Sequence, residues 1–190
     1  MLLGPSHRVA FEGIALTKMT HFDTPLDKIK INKDDYPKLL AMDDVFLYEQ
    51  AHSEEHCIEV QLPFLQRTLK HFTILPIVVG LAKPQSVSNV IELLWGGPET
   101  LVVISSDLSH HHNYTEAQQL DNQTSKAILD FNFSAIHPHN ACGCMAINGL
   151  LKFAHRHPLT VRLINICNSG DTTGNRDKVV GYGAYSFEEA

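Results

Sequence analysis

The sequence predicts an α/β fold, a layered sandwich around a mixed, largely parallel central sheet. Two patterns carry that expectation. Short apolar, β-rich runs recur along the chain, and stretches with helical spacing of apolar residues lie between them. At 190 residues, 44% hydrophobic and 19% charged, the chain has a globular composition and enough length to bury about 70% of its unfolded surface. No repeat or Gly/Ser linker interrupts it, so residues 1–190 read as a single domain.

Met1-Leu2-Leu3 looks like the end of a buried strand, followed at once by Gly4-Pro5-Ser6-His7. Ile58, Leu62, Leu65 and Leu69 fall on one helical face, and Pro63 within that pattern demands a kink or a late start. Residues 73–79 read as a buried strand that Pro76 places at an edge or an end. Residues 100–105, 159–167 and 179–187 are further strands, and 85–95, 115–131 and 140–155 are helices. Asn140 is the expected N-cap of the last of these.

Charge and targeting signals exclude several roles. The net charge of −6 and the lack of a basic stripe argue against nucleic acid as a partner. No apolar run approaches the roughly 20 residues of a spanning helix, and the first residues carry no secretory signature. Four scattered cysteines fit reduced thiols and a cytoplasmic location better than a disulfide scaffold. Histidine is the unusual entry in the composition, with 12 residues against 15 Lys plus Arg.

In open α/β sheets, ligands bind beyond the carboxyl ends of the strands. Three segments leave a predicted strand carrying polar, ligand-type side chains: Ser6-His7, Ser105-Ser106-Asp107 through His110-His111-His112, and Asn168 through Gly174. If those strands are parallel neighbours, His7, Asp107, His110 and Asp171 converge on one rim. Histidine with carboxylate suits a divalent metal such as Fe(II) and also serves acid–base chemistry. Plainer readings stand beside each residue. His7 can hydrogen-bond its turn, Asp107 can cap a turn, His110–His112 can be a solvated loop, and Asp171 can be a turn former.

Two more clusters carry reactive groups. His56 and Glu59 lie one turn apart and can face one site; the plainer reading is a capping segment before a helix. Cys142-Gly143-Cys144, with His137 and His139 upstream, has no second pair at zinc-finger spacing, and two thiols two residues apart on a helix diverge. Cys142 is therefore read as a pocket-edge thiol near a helix start, where its pKa would fall. Ser6 and Ser106 lie near histidine and aspartate, but no Gly-x-Ser-x-Gly elbow is present.

The segments Leu3-Gly-Pro-Ser-His7, Thr24-Pro-Leu26, Glu55-His-Cys-Ile-Glu-Val-Gln-Leu-Pro63, Leu75-Pro-Ile-Val-Val-Gly80, Ser105-Ser-Asp-Leu-Ser-His110, Ala141-Cys-Gly143 and Asn168 through Tyr185 together resemble the Memo family, including AmmeMemoRadiSam system protein B. The resemblance spans nearly the whole chain in order. It implies a sandwich similar to the LigB-type class III extradiol dioxygenases, with a mononuclear metal pocket. By that likeness His7 matches a metal histidine. Asp107 and His110 match pocket residues beside the metal, and His56 matches the histidine before the amphipathic helix. The cysteine ligand of the family's animal members falls on Thr172, which makes neighbouring Asp171 the candidate replacement. The family's first metal histidine lies in an upstream His-Ala-Gly-Tyr segment that this chain lacks. The fold is therefore expected to want its N-terminal part and to leave a sheet edge exposed.

The expected site has His7 and Asp171 as metal ligands. His110, Asp107 and His56 are its catalytic groups, and Cys142, Thr172 and Ser6 line the pocket. The expected ion is Fe(II), with Cu or Zn as alternatives. Two functions follow: a dioxygenase-like redox enzyme, or a non-catalytic module that captures a peptide in the same histidine-lined pocket. The resemblance implies AMMECR-type and radical-SAM proteins as partners, beside a small molecule or peptide, with neither nucleic acid nor membrane.

Overall fold

The computed structural model describes residues 1–189. In chain order the first half runs β1 (Leu2–Pro5), β2 (Ile14–Leu16), β3 (His21–Asp23), β4 (Lys28–Lys30), α1 (Tyr36–Leu39), β5 (Val45–Leu47), α2 (Gln50–Ser53), α3 (Leu62–Thr68) and β6 (Pro76–Val79). The second half runs α4 (Pro84–Leu94), β7 (Val103–Ile104), β8 (His110–His112), α5 (Tyr114–Leu129), α6 (Cys144–Ala154), β9 (Leu159–Asn168), α7 (Gly170–Thr173) and β10 (Val179–Glu189).

The central sheet has five strands in the order β5-β2-β6-β1-β7. Three of its pairings are parallel and one, β2 with β6, is antiparallel. The α/β class and the mixed, largely parallel sheet follow the sequence. Alternation along the short strands shows why both faces are covered. Leu3, Ile14, Leu16, Ile77 and Val79 pack on one face with Val87, Val90 and Ile91 of α4 and Leu150 and Phe153 of α6. Leu2, Ala15 and Val78 point the other way, onto Ile58, Leu62 and the β3–β4 hairpin residues Phe22 and Ile29. Pro76 resolves as the first residue of an interior strand, where its missing N–H costs no ladder bond. Pro63 resolves as a late start, in the first turn of α3.

Two expectations are corrected. Strand 159–167 does not join the parallel sheet. As β9 it pairs antiparallel with β10 in a separate three-stranded sheet, order β8-β10-β9. This sheet packs on α5, with Leu108, Ile128, Ile147 and Leu151 in the core between them. The helix assigned to 140–155 begins only at Cys144, and Asn140 is not its cap. The Asn140 side chain instead accepts the His137 N–H at 2.8 Å, closing the preceding turn.

Helices α4 and α6 meet at Gly149. A methyl group there would lie 2.3 Å from Cγ1 of Val87, far inside van der Waals contact. Gly149→Ala is expected to destabilise the fold by about 1–3 kcal/mol, the range for overpacked cores. Val87 Cβ would lie almost as close, at 2.4 Å, so adding Val87→Ala is not expected to restore the loss, as read by urea denaturation.

His52 is buried, with Nε2 3.1 Å from the carbonyl of Ala15. Burial lowers its pKa, although the Ala15 carbonyl and the charges of Glu49 and Glu55 pull the other way. The unfolded chain thus binds a proton at this position that the folded chain refuses. Stability is expected to fall as pH drops below about 6.5 and on through the folded pKa, by up to about 1.4 kcal/mol per unit. His52→Gln should flatten that part of the stability–pH curve in denaturant melts between pH 7.5 and 5.

Candidate functional site

Parallel pairing of β1 with β7 sets Leu2 beside Val103 and Leu3 beside Ile104. The loops after the two strands therefore emerge side by side. Residues 105–110 are fastened from several directions. Ser105 N–H donates to Leu3 O, Leu108 N–H to Gly181 O, and Gly181 N–H to Ser109 O. Ser109 N–H donates at 2.9 Å to the carboxylate of buried Asp121.

The segment before α6 docks on the same loop. Cys142 N–H donates to Asp107 O at 3.2 Å, and Asp107 N–H donates back to Cys142 Sγ at 3.1 Å. Gly143 N–H donates to Ser106 Oγ at 2.9 Å. This approach requires glycine, because a Cβ at 143 would lie 2.7 Å from Ser106 Cβ and 2.8 Å from Ser105 O. The outcome is a group of three ligand-type atoms, from Asp107, His110 and Cys142, all within 4.8 Å of one another. His110 Nε2 is 3.3 Å from Asp107 Oδ2. All three side chains are half-buried, so the group is both shielded and accessible. The Cys142 pKa moves opposite to the sequence expectation. Burial pushes it up, and the hydrogen bonds from Asp107 and Ser106 offset that only in part. Cys142 also precedes the helix instead of lying in its first turn.

A second group lies at the end of β1, centred on Glu55, whose side chain is 2% exposed. Its carboxylate accepts the backbone N–H groups of His7 at 2.6 Å, His56 at 2.9 Å and Cys57 at 3.2 Å, and it contacts His7 Nδ1 at 3.0 Å. Burial alone would raise its pKa; these donors outweigh burial and bring it down to about 2. The His7 and His56 rings stack at 5.8 Å between centroids. Cys57 Sγ donates to Pro5 O at 3.1 Å, and burial raises that thiol as well.

Asp107, His110 and Cys142 are thus brought together. His7 and His56 form a separate pair on Glu55. Asp171 is engaged elsewhere, accepting Tyr114 O–H at 2.6 Å and Asn168 N–H at 2.9 Å, because its strand belongs to the other sheet. Thr172 is exposed, with its hydroxyl on Ser169 O. Ser6 Oγ donates to Val9 O, and Ser106 Oγ donates to Asp107 O. Neither serine hydroxyl makes a hydrogen bond to a histidine. Glu55 is the residue the sequence left without a role. Its signals were an acidic position beside His56 and its place at the head of the Glu55–Pro63 segment.

Glu55→Gln keeps the shape but removes the charge and sets an N–H₂ group against a ring of donors. It is expected to cost about 2–3 kcal/mol of stability, the scale of lost charge-assisted bonds in a buried site. Urea denaturation at pH 7 measures it.

The family model described as "Memo-like protein" matches residues 1–186. The MEMO1 family protein of Methanosarcina mazei is 30% identical over a match covering 99% of this chain and 74% of the relative. That of Metallosphaera sedula is 28% identical, covering 100% and 72%. A third, from Thermoplasma volcanium, is 30% identical over 96% and 71%. No helix among the described residues is long and apolar enough to cross a membrane. With a match that runs through both loops of the Asp107–His110–Cys142 group, the chain belongs to the Memo family.

Proposed function

We propose that this chain holds a single divalent metal ion on Asp107, His110 and Cys142 and acts as a metal-dependent, dioxygenase-like redox protein. The carrying observation is the convergence of three ligand atoms within 4.8 Å beyond the carboxyl end of a sheet strand. A carboxylate oxygen, an imidazole nitrogen and a sulfur form a mixed donor set that suits Fe(II), Cu or Zn better than Mg or Ca. The sandwich similar to the extradiol dioxygenases that the family resemblance implies favours Fe(II). When bound, the ion supplies Lewis acidity and, as iron or copper, a redox centre.

The protein's own groups divide the remaining work. Ser106, Gly143 and the reciprocal Asp107–Cys142 backbone contacts fix the ligands before any ion arrives. Glu55 holds His7 by Nδ1, which leaves Nε2 as the nitrogen suited to exchange a proton or to add a ligand. His56 stacks on His7 and is the more exposed of the two.

Cobalt(II) titration of chelator-free protein tests the reading, with elemental analysis of the protein as purified. One equivalent is expected to bind with a sulfur-to-metal absorption band in the near ultraviolet. Cys142→Ser should abolish the band, and His110→Ala should weaken binding at least about tenfold. Absence of stoichiometric binding, or a band that survives Cys142→Ser, would overturn it.

A further inference from the structure

Strand alternation fixes which side chains of the three-stranded sheet share a face with His110. A Cβ at Gly181 would run into the carboxylate of Asp121, so Gly181 faces α5. Ile166 faces the same way, packed against the core that holds Leu108 and Ile128. Their chain neighbours Tyr182 and Cys167 therefore turn to the opposite face. These two are also register partners across β10 and β9, so their side chains stand next to each other. Val180, two residues before Tyr182 and on its face, pairs with His110 of β8. Tyr182 is thus the diagonal neighbour of His110, at about 7–8 Å, a span that an aromatic side chain covers. β10 is fastened to the site loop at the same level, by Leu108 N–H on Gly181 O and Gly181 N–H on Ser109 O. The phenol registers this placement: burial first, then the charges of Asp107 and Cys167, push its pKa up.

The metal reading gives neither residue a role. Cys167 is a free, half-buried thiol, and Tyr182 is partly exposed. Directly opposed Cβ atoms on paired strands are about 4.5–5.5 Å apart. A single bond from the cysteine sulfur to the ring carbon beside the tyrosine hydroxyl bridges that gap without moving either strand.

We propose that Cys167 and Tyr182 become joined by a thioether between Sγ and a ring Cε, formed with dioxygen as oxidant at the metal held by Asp107, His110 and Cys142. The proposal rests on the metal reading and extends it. The S–H bond of Cys167 and one ring C–H bond of Tyr182 break, and one S–C bond forms. The two electrons and two protons released pass, by way of the bound iron or copper, to dioxygen, which leaves as hydrogen peroxide. The product is a thioether-substituted phenol, which gives up an electron more readily than tyrosine does. The modification therefore sets a one-electron donor beside the metal.

The test uses the full chain, reduced and freed of metal, then given one equivalent of Fe(II) in air. Cobalt(II) titration of the same preparation reports separately on the ion site. The intact mass is expected to fall by two hydrogen atoms. The fall should persist after phosphine treatment, which reverses a disulfide of the same mass change. Digestion should then yield the Cys167 and Tyr182 peptides joined. Zn(II) in place of Fe(II), Tyr182→Phe and Cys167→Ser should each yield no joined peptide. Cys142→Ser keeps both partners but removes a metal ligand, and should slow the joining at least about tenfold. Cobalt binding without the joined peptides would overturn the thioether and leave the metal reading standing. Failure of cobalt to bind would overturn both. Joining at an unchanged rate in Cys142→Ser, or with Zn(II), would overturn the metal group as its driver. The comparison of Fe(II) with Zn(II) uses the unaltered protein, so it decides the matter even if a variant unfolds.

Discussion

Strand β1 is hydrogen-bonded along both edges, to β6 on one side and β7 on the other, and all four of its residues are buried. Much else depends on that double pairing. It fixes the direction in which the chain leaves at Ser6-His7 and sets residues 105–110 alongside. It also gives the 55–58 segment an anchor, through Cys57 on Pro5 O and the Glu55 carboxylate on the His7 backbone. A strand this short gains little from its own backbone bonds. It holds its place because Leu2 and Leu3 are buried in opposite faces, under different helices.

The two polar groups beyond the sheet obey different electrostatic rules. Glu55 is deeply buried, yet stays ionised because four donors converge on it. Cys142 has fewer donors around a half-buried sulfur, and its thiol is pushed towards the neutral form. A carboxylate that is already satisfied serves as a fixed scaffold for the two histidines. A thiol that stays protonated on its own is a group whose ionisation a metal ion would drive. The same rim therefore holds one charge that is permanent and one that is conditional.

The sequence made the α/β class, the helices 85–95 and 115–131, and the strand-end location of Asp107 and His110 legible, since each rests on periodicity or on a strand-to-loop transition. It could not reveal which sheet a strand joins. Residues 159–167 read as an apolar strand in either sheet, and only tertiary pairing sends Asp171 to Tyr114 and away from the cluster. Asn140 carried a good capping signal, but the mutual bonds of Cys142 with Asp107 and of Gly143 with Ser106 hold those residues out of the helix. Strands of three residues such as β2 and β5 are too short to show a period. The burial of Glu55 was invisible for a related reason, because nothing local distinguishes it from exposed Glu54.

The placement of β1 at the middle of the sheet also has a consequence for folding. Leu2 pairs with Pro76 on one edge and with Val103 on the other. The strand that organises the sheet therefore waits for partners encoded far downstream, and the loops closed by these contacts are long. Such non-local parallel pairing is slow to form and leaves an apolar edge uncovered in the interval. During synthesis, the chain through Val103 must leave the ribosome before both edges can close, at rates of ~5–20 residues per second. Over those seconds the nascent chain is a ready client for a holding chaperone.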